Sequence, residues 1–369
     1  MPLSAIRRIV AGDLTPVFYH SFTASPIPHI APLFPCKSPG DLERDLLYLK
    51  SHFRLVSHDD IVFHREKGRR FPSNAAAVSF DDGFIECFTV ARPLLVAHGI
   101  PATFFVCKSF IDNQALMFRN KIALCVSRIA DSTPGELSRF NAALRARFGI
   151  TVDSRAEVQT WLFGLGFARR DIIDAACECL GIDIPAFLRV RRPYMTGSQI
   201  AQLHREGFTV GAHTSDHPDL AKLEDWNEVR RQISESCDLV REITGRARVP
   251  FAFPFNGLDL PRSALAALRD ELGSIDLMYD TNNLMKDRSF IVNRIWCDTP
   301  EGANGERSNL PALLRRAQAL EPLRAIRRWM RRSVPAAPAA FGGRGAPTQS
   351  AASDLCAKPV KSGMPEINL

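Results

Sequence analysis

Three short segments hold residues whose types and spacing could do chemistry. Ser79-Phe80-Asp81-Asp82-Gly83 puts two carboxylates side by side at the end of a β-branched and aromatic run. Adjacent carboxylates repel unless a cation or a shared proton relieves them, although Asp-Asp-Gly is also ordinary turn chemistry. Val210-Gly211-Ala212-His213-Thr214-Ser215-Asp216-His217-Pro218 sets two histidines four apart after another extended run. Pro218 and the preceding strand favour a loop for this pair, where the imidazoles either ligate one metal ion or stand solvated. Phe251-Ala252-Phe253-Pro254-Phe255-Asn256-Gly257 reads as a strand ending in a Pro/Gly turn. Taken in order at strand ends, an aspartate and two histidines make a facial triad with positions open for water and substrate. Neutral imidazole in such a set suits zinc, cobalt, nickel or iron.

These segments can meet only if the chain brings its strand ends together. Extended apolar runs alternate with amphipathic helical patterns, which predicts β/α units around a parallel sheet or barrel. The expected strands are 16–20, 76–80, 102–106, 208–212, 250–255 and 290–294. The expected helices are 39–52, 85–98 closed by Gly99, 198–206 ending at Gly207, and 226–244 running from the N-cap Asp225 to Gly245. Residues 108–194 break the rhythm. They read as helices near 115–130, 134–147, 154–162 and 169–180, forming either a cap over the sheet's C-terminal edge or a peripheral bulge.

Composition bounds the answer. With 369 residues, 46% of them hydrophobic, the chain is a packed globular protein longer than one ordinary domain. Nine cysteines without a Cys-x-x-Cys spacing read as reduced core thiols. Residues 307–333 hold eight arginines against the single acid Glu321, so the whole net charge of +7 lies in that segment. The rest of the chain is neutral overall, and the basic pI is no argument for nucleic acid. On a helical wheel Leu323, Ile326, Trp329, Met330 and Val334 share one side, and the arginines take the other. That pattern fits a helix at an anionic membrane interface over 323–334, or a helix docking its apolar stripe on the body. The stretch 334–369 reads as a disordered tail. No apolar run of membrane-spanning length occurs, and only three apolar residues follow Arg7-Arg8, so the chain reads as cytoplasmic or peripheral at the inner membrane.

The ordered set Phe80-Asp81-Asp82-Gly83, His213-Thr214-Ser215-Asp216-His217 and Phe253-Pro254-Phe255-Asn256-Gly257 resembles the polysaccharide deacetylases of carbohydrate esterase family 4, with its NodB-homology domain. The flanks Pro16-Val-Phe-Tyr-His20, Gly99-Ile-Pro-Ala-Thr-Phe-Phe-Val106 and Ile200 to Gly211 agree with it. The resemblance spans residues 14–107 and 195–300 and leaves 108–194 unmatched. It implies a distorted (β/α) barrel of α/β class that removes acetyl groups from sugars with a divalent ion, zinc first and cobalt, nickel or iron next. By the same resemblance Asp81 is the base, and Asp82, His213 and His217 hold the metal. A backbone N–H near Phe255 or Asn256 would face the oxyanion. Two departures stand out: Ala252 or Phe253 replaces the arginine usual in the third motif, and no histidine follows His217 to act as the C-terminal acid. A circularly permuted branch of the family fills both gaps, with His20 as acid and Arg294 as the tether of the base. Read without the resemblance, His20 is a strand-end histidine on a barrel rim and Arg294 a surface ion pair. The partner implied is a carbohydrate. The competing functions are hydrolysis of another non-peptide C–N bond and a membrane-associated glycan-binding protein with little turnover.

Overall fold

The computed structural model describes residues 14–298 and 310–333, with side chains described as far as Glu321. Two six-residue strands, β1 (Leu14–Tyr19) and β3 (Ala75–Phe80), are buried at every position and pair in parallel from Leu14 against Ala75 to Tyr19 against Phe80. Burial on both faces is why they read as continuous apolar runs. The short β2 (Arg54–Leu55) adds to β3. The sheet continues through β4 (Ala102–Val106), β5 (Thr209–Ala212), β6 (Val249–Ala252), β7 (Ile275–Asp280), β8 (Ile291–Asn293) and β9 (Ile295–Trp296). The order is β8-β7-β6-β5-β4-β3-β1-β9, and every neighbouring pair is parallel. Only Arg294 separates β8 from β9. One extended segment therefore pairs with β7 through its first half and with β1 through its second, which closes the sheet into a (β/α) barrel.

Alternation along the strands divides two cores. Leu14, Ala75, Ala77, Phe105, Ala252, Leu277, Tyr279 and Val292 cluster inside the barrel. Val17, Tyr19, Val78, Phe80, Phe104, Val210, Phe251 and Ile291 face outward beneath helices. The lumen is narrow. A Cβ on Gly211 would stand 2.6 Å from the Phe105 ring and 2.7 Å from the Pro250 carbonyl oxygen, so the residue opposite Phe105 has to be glycine.

Helices α1 (Pro39–His52), α2 (His58–Glu66) and α3 (Arg92–His98) follow the first strands. The Ser38 side chain caps α1 in a capping box with Asp41. The expected helix 85–98 opens as a π turn at Cys87–Ala91 and becomes α-helical only from Arg92. Pro93 has no N–H to give the Thr89 carbonyl, so the ladder widens upstream of it. Helices α4 (Phe118–Ala130), α5 (Pro134–Phe148), α6 (Arg155–Gly164), α7 (Arg170–Cys179) and α8 (Ile184–Arg191) make up the insertion. They enclose a core of their own, which includes Phe84 and Cys107 from the ends of β3 and β4 and Ile27 and Ile30 from the loop after β1. The returning chain is bonded to the barrel rim: Ile85 N–H donates to the Pro193 carbonyl and Met195 N–H to that of Gly83.

Helices α9 (Gly197–Arg205), α10 (Trp226–Thr244) and α11 (Arg262–Leu272) cover the second half of the sheet. Met1–Arg328 is one compact unit, and α12 (Leu310–Ser333) buries Leu310, Leu314 and Ala317 in its main core. Of the second unit, Trp329–Leu369, only helical backbone as far as Ser333 is described. The expected tail 334–369 and the side chains of the 323–334 stripe lie outside the described residues. Among the described residues no helix is long and apolar enough to cross a membrane.

The six expected strands form within a few residues of their expected limits, and 226–244 forms as expected. The 250–255 run stops at Ala252, because Pro254 and the left-handed Phe255 (φ 57°) carry the chain out of the sheet. Strand β7 was not expected, since Asp276 and Asp280 interrupt its apolar pattern. Both carboxylates are satisfied in place: Asp276 by His58 Nε2 at 3.0 Å, and Asp280 by Gly257 N–H at 2.9 Å and Arg262 at 3.1 Å.

Gly211→Ala is expected to cost about 1–3 kcal/mol through overpacking against Phe105. Gly40→Ala, where a Cβ meets nothing within 4 Å, is expected to cost nothing. Denaturant unfolding of the two variants checks the contrast.

Candidate metal centre and active site

Inward strand positions set the site. Ala75, Ala77 and Ser79 point into the lumen, and the next residue in that phase is Asp81, just past β3. The same count from Thr209 and Gly211 reaches His213 past β5, and from Phe18 it reaches His20 past β1. In parallel β/α folds the C-terminal ends of the strands are where chemistry gathers.

Asp82 does not share the phase of Asp81. A left-handed backbone at Asp82 (φ 69°) and at Gly83 (φ 69°) swings its carboxylate back over the barrel mouth. Asp82 Oδ1 then lies 3.3 Å from His213 Nε2 and 3.1 Å from His217 Nε2. The three candidate ligand atoms lie within 4.8 Å of one another, and all three residues are buried. His217 is reached by a tight turn in which Thr214 (φ 66°) and His217 (φ 58°) are both left-handed and His217 N–H donates to Thr214 Oγ1. Non-glycine residues hold such a backbone only where their surroundings impose it.

The donor set fits a divalent cation. His213 Nδ1 lies 2.9 Å from the Ala252 carbonyl, which can only accept, so Nδ1 carries the proton and Nε2 presents its lone pair. That lone pair faces Asp82 Oδ1, a buried oxygen without a hydrogen-bond partner among the described residues. Two lone pairs held this close are repulsive until a cation lies between them. Burial pushes the Asp82 carboxyl up, but without a cation the charge of His217 and N–H donation from His213 and His217 outweigh it and hold the group well below the usual carboxylate range, the place a metal ion would take over. Burial, against the pull of Asp82, lowers His217. An ionised carboxylate and a neutral imidazole are the forms a metal requires.

Asp81 is held apart from this set. Arg294 grips it through two parallel hydrogen bonds, Nη1 to Oδ1 at 2.7 Å and Nη2 to Oδ2 at 2.8 Å. Arg294 Nη1 also donates to Ser79 Oγ at 3.0 Å. The guanidinium is fully buried and lies 4.5 Å from the Phe18 ring centroid, 5.1 Å from that of Phe105 and 5.7 Å from that of Tyr279. The surface ion pair considered for Arg294 is thereby excluded.

His20 stands on the rim with its Nδ1 donating to Asp298 Oδ2 at 2.7 Å, and Asp298 also accepts from Trp296 Nε1 at 3.1 Å. Phe34 and Trp296 flank the ring at 4.9 Å and 5.8 Å. Phe255 stands beside the centre, its ring 5.3 Å from that of His217 and 39% exposed. The Asn256 side chain is engaged with Leu258 N–H at 3.1 Å.

Sequence reasoning missed two residues that position the site. Asp298 falls in the inward phase of Val292, Arg294 and Trp296, a signal visible once that strand is phased. Gln232 is a fully buried amide on the apolar stripe of α10; its Oε1 accepts from Ser215 and Asp216 N–H at 3.1 and 2.9 Å, which clamps the loop between the two histidines.

The model of the family described as "Polysaccharide deacetylase" matches residues 173–270. A parallel β/α barrel with an Asp-His-His cluster at the C-terminal ends of its strands defines the class. Over residues 173–270 the chain is similar to the polysaccharide deacetylase family, an enzyme family. No curated protein sequence matches it. Among solved structures it is similar to the deacetylase PplD of Streptococcus pyogenes in complex with acetate (14% identity, TM-score 0.49, covering 77% of this chain and 91% of that one). It is similar also to IcaB from Ammonifex degensii (14%, 0.48, 83% and 97%) and to the BpsB deacetylase domain from Bordetella bronchiseptica (16%, 0.45, 77% and 95%).

The rim histidine yields a titration to measure. Burial opposes charge on His20, but the hydrogen bond to Asp298 and the carboxylates of Asp82, Asp298 and Asp81 prevail and push its pKa up from 6.5 to about 9. A folded value above the unfolded one stabilises the metal-free protein fully below pH 6.5, and that contribution is lost as pH rises through about 9. NMR titration of the metal-free protein is expected to place His20 near that upper value. Asp298→Asn is expected to move the midpoint down.

Proposed function

We propose that the chain is a metal-dependent carbohydrate N-deacetylase, releasing acetate from an N-acetylhexosamine unit of a poly-, oligo- or lipid-linked saccharide. The observation that carries this reading is the convergence of Asp82, His213 and His217 on one point while Arg294 holds the neighbouring Asp81 out of the ligand set. Zinc is the ion that the Asp-His-His set suits best. Bound there, a divalent ion supplies a water of lowered pKa and polarises the acetyl carbonyl.

The remaining work falls to the chain's own side chains. Asp81 accepts the proton of the attacking water. Both its oxygens are in the fork of Arg294, which fixes the carboxylate in direction, and each oxygen has a further lone pair to offer. His20 donates a proton to the departing amine. With Nδ1 held by Asp298, it presents Nε2 for the transfer. A backbone N–H at Phe255 or Asn256 faces the carbonyl oxygen as negative charge develops on it. The exposed Phe255 ring offers an apolar face to a pyranose. Acid and tether thus come from β1 and the β8–β9 segment, the places used by the permuted branch that the sequence resembles.

The test is acetate release from N-acetylated oligosaccharides and lipid-linked sugars, lost on chelation and restored by zinc. Asp81→Asn is expected to lower kcat about 10²–10⁴-fold with metal content unchanged, whereas His213→Ala is expected to lose both metal and activity. Acetate release only from small non-sugar amides would move the reading to another C–N hydrolase. Full metal occupancy with no turnover on any amide would favour a glycan-binding protein.

The composition of 323–334 supports a second element of the proposal, a cytoplasmic enzyme held peripherally at the inner membrane. Flotation with vesicles containing anionic lipid is expected for the full chain, and its loss is expected on deletion of 323–334.

A further inference from the structure

Nine non-glycine residues among those described have a left-handed backbone. Asp82, Thr214, His217 and Phe255 surround the candidate metal centre, and Asn74 and Asn283 are of the type that adopts this conformation most easily. The other three, Asp112 (φ 60°), Asn113 (φ 59°) and Arg192 (φ 45°), line one cavity of about 600 Å³ between the 3₁₀ turn Lys108–Asn113 and α8. Of the three, Arg192 is the one whose residue type makes this backbone costly, and strain of that kind gathers where a ligand is held.

The chemistry of the lining is specific. Its floor includes the buried Leu116 and Leu188. Arg189 and Arg192 line it as exposed cations without an ion pair or hydrogen-bond partner among the described residues. Lys121 also lines it but is taken by Asp174 at 2.5 Å. Its one carboxylate, Asp112, accepts the Gly197 N–H at 2.9 Å. No aromatic ring lines the cavity, so it offers no platform for a pyranose. Arg192 is the C-cap of α8, where a glycine would take the left-handed turn without strain. An arginine there puts a guanidinium at the cavity at the expense of the local backbone.

We propose that this cavity is a second binding site, for a phosphate monoester with an apolar substituent, its phosphate oxygens gripped by Arg189 and Arg192. The site stands independently of the deacetylase reading. It is nevertheless wired to the metal motif: Asp112 N–H donates to the Met195 carbonyl, and Met195 N–H donates to that of Gly83. A ligand held there stiffens the turn that carries Asp82.

Isothermal titration of the full chain with n-octyl phosphate, inorganic phosphate and n-octyl glucoside, each below its micellar concentration, tests the site. Octyl phosphate is expected to bind, octyl glucoside not to bind, and Arg189→Ala to weaken binding at least tenfold. Arg192→Gly is expected to weaken binding while raising the melting temperature, a combination that a purely structural role for Arg192 does not give. Inorganic phosphate binding as tightly as octyl phosphate, with the same arginine dependence, would support the anion site with free phosphate as its source and overturn the apolar requirement. Absence of binding by both phosphates, or affinities unchanged in both variants, would overturn the proposal.

Discussion

A single buried ion pair constrains most of this molecule. Arg294 and Asp81 meet inside a closed parallel barrel, both out of contact with solvent, and each satisfies the charge of the other. Leaving either partner alone in such a place costs about 3–5 kcal/mol, so the surrounding lumen is shaped to keep them together. Three aromatic rings enclose the guanidinium, and Ser79 takes one more of its donors. The strand that carries Arg294 is also the one that closes the barrel. Barrel closure and orientation of the carboxylate are therefore one structural event.

This pair divides the labour between neighbours in the sequence. Asp81 follows the inward phase of β3 and is captured by the arginine. Asp82, one residue on, is thrown the other way by a left-handed turn and meets two imidazoles instead. Two adjacent carboxylates would ordinarily repel each other; here one is paired with a permanent cation and the other lies where a divalent ion fits. The same logic orders the rim, where Asp298 fixes His20 by one ring nitrogen and leaves the other free. Left-handed backbone recurs around the centre at Asp82, Thr214, His217 and Phe255, on a parallel sheet stiff enough to bear the cost of a preorganised site.

Much of this was legible in the amino-acid sequence, for identifiable reasons. Strands buried on both faces leave continuous apolar runs, and Asp225, Gly99 and Gly245 mark helix ends by cap chemistry that is local. The Asp82, His213 and His217 cluster could be anticipated because each residue sits next to a strand end. What could not be read depends on partners distant in the chain. Strand β7 carries Asp276 and Asp280, which look wrong for a core strand until His58 and Arg262 are seen against them. Gln232 looks like an error in an apolar stripe until the histidine loop is laid on it. Asp298 has no meaning until the strand before it is phased. The lumen position of Arg294 was left open for the same reason, since only closure of the barrel decides which way that side chain goes.

The central claim is that Asp82, His213 and His217 converge on one divalent ion while Arg294 keeps Asp81 off it. A crystal structure of the zinc-loaded protein, with the ion located by anomalous scattering, tests this most directly. The account requires one zinc bonded to Asp82, His213 and His217 at about 2.0–2.2 Å, with both oxygens of Asp81 still in the arginine fork. Zinc bound through Asp81, or bound elsewhere with the two histidines turned away from Asp82, would contradict it.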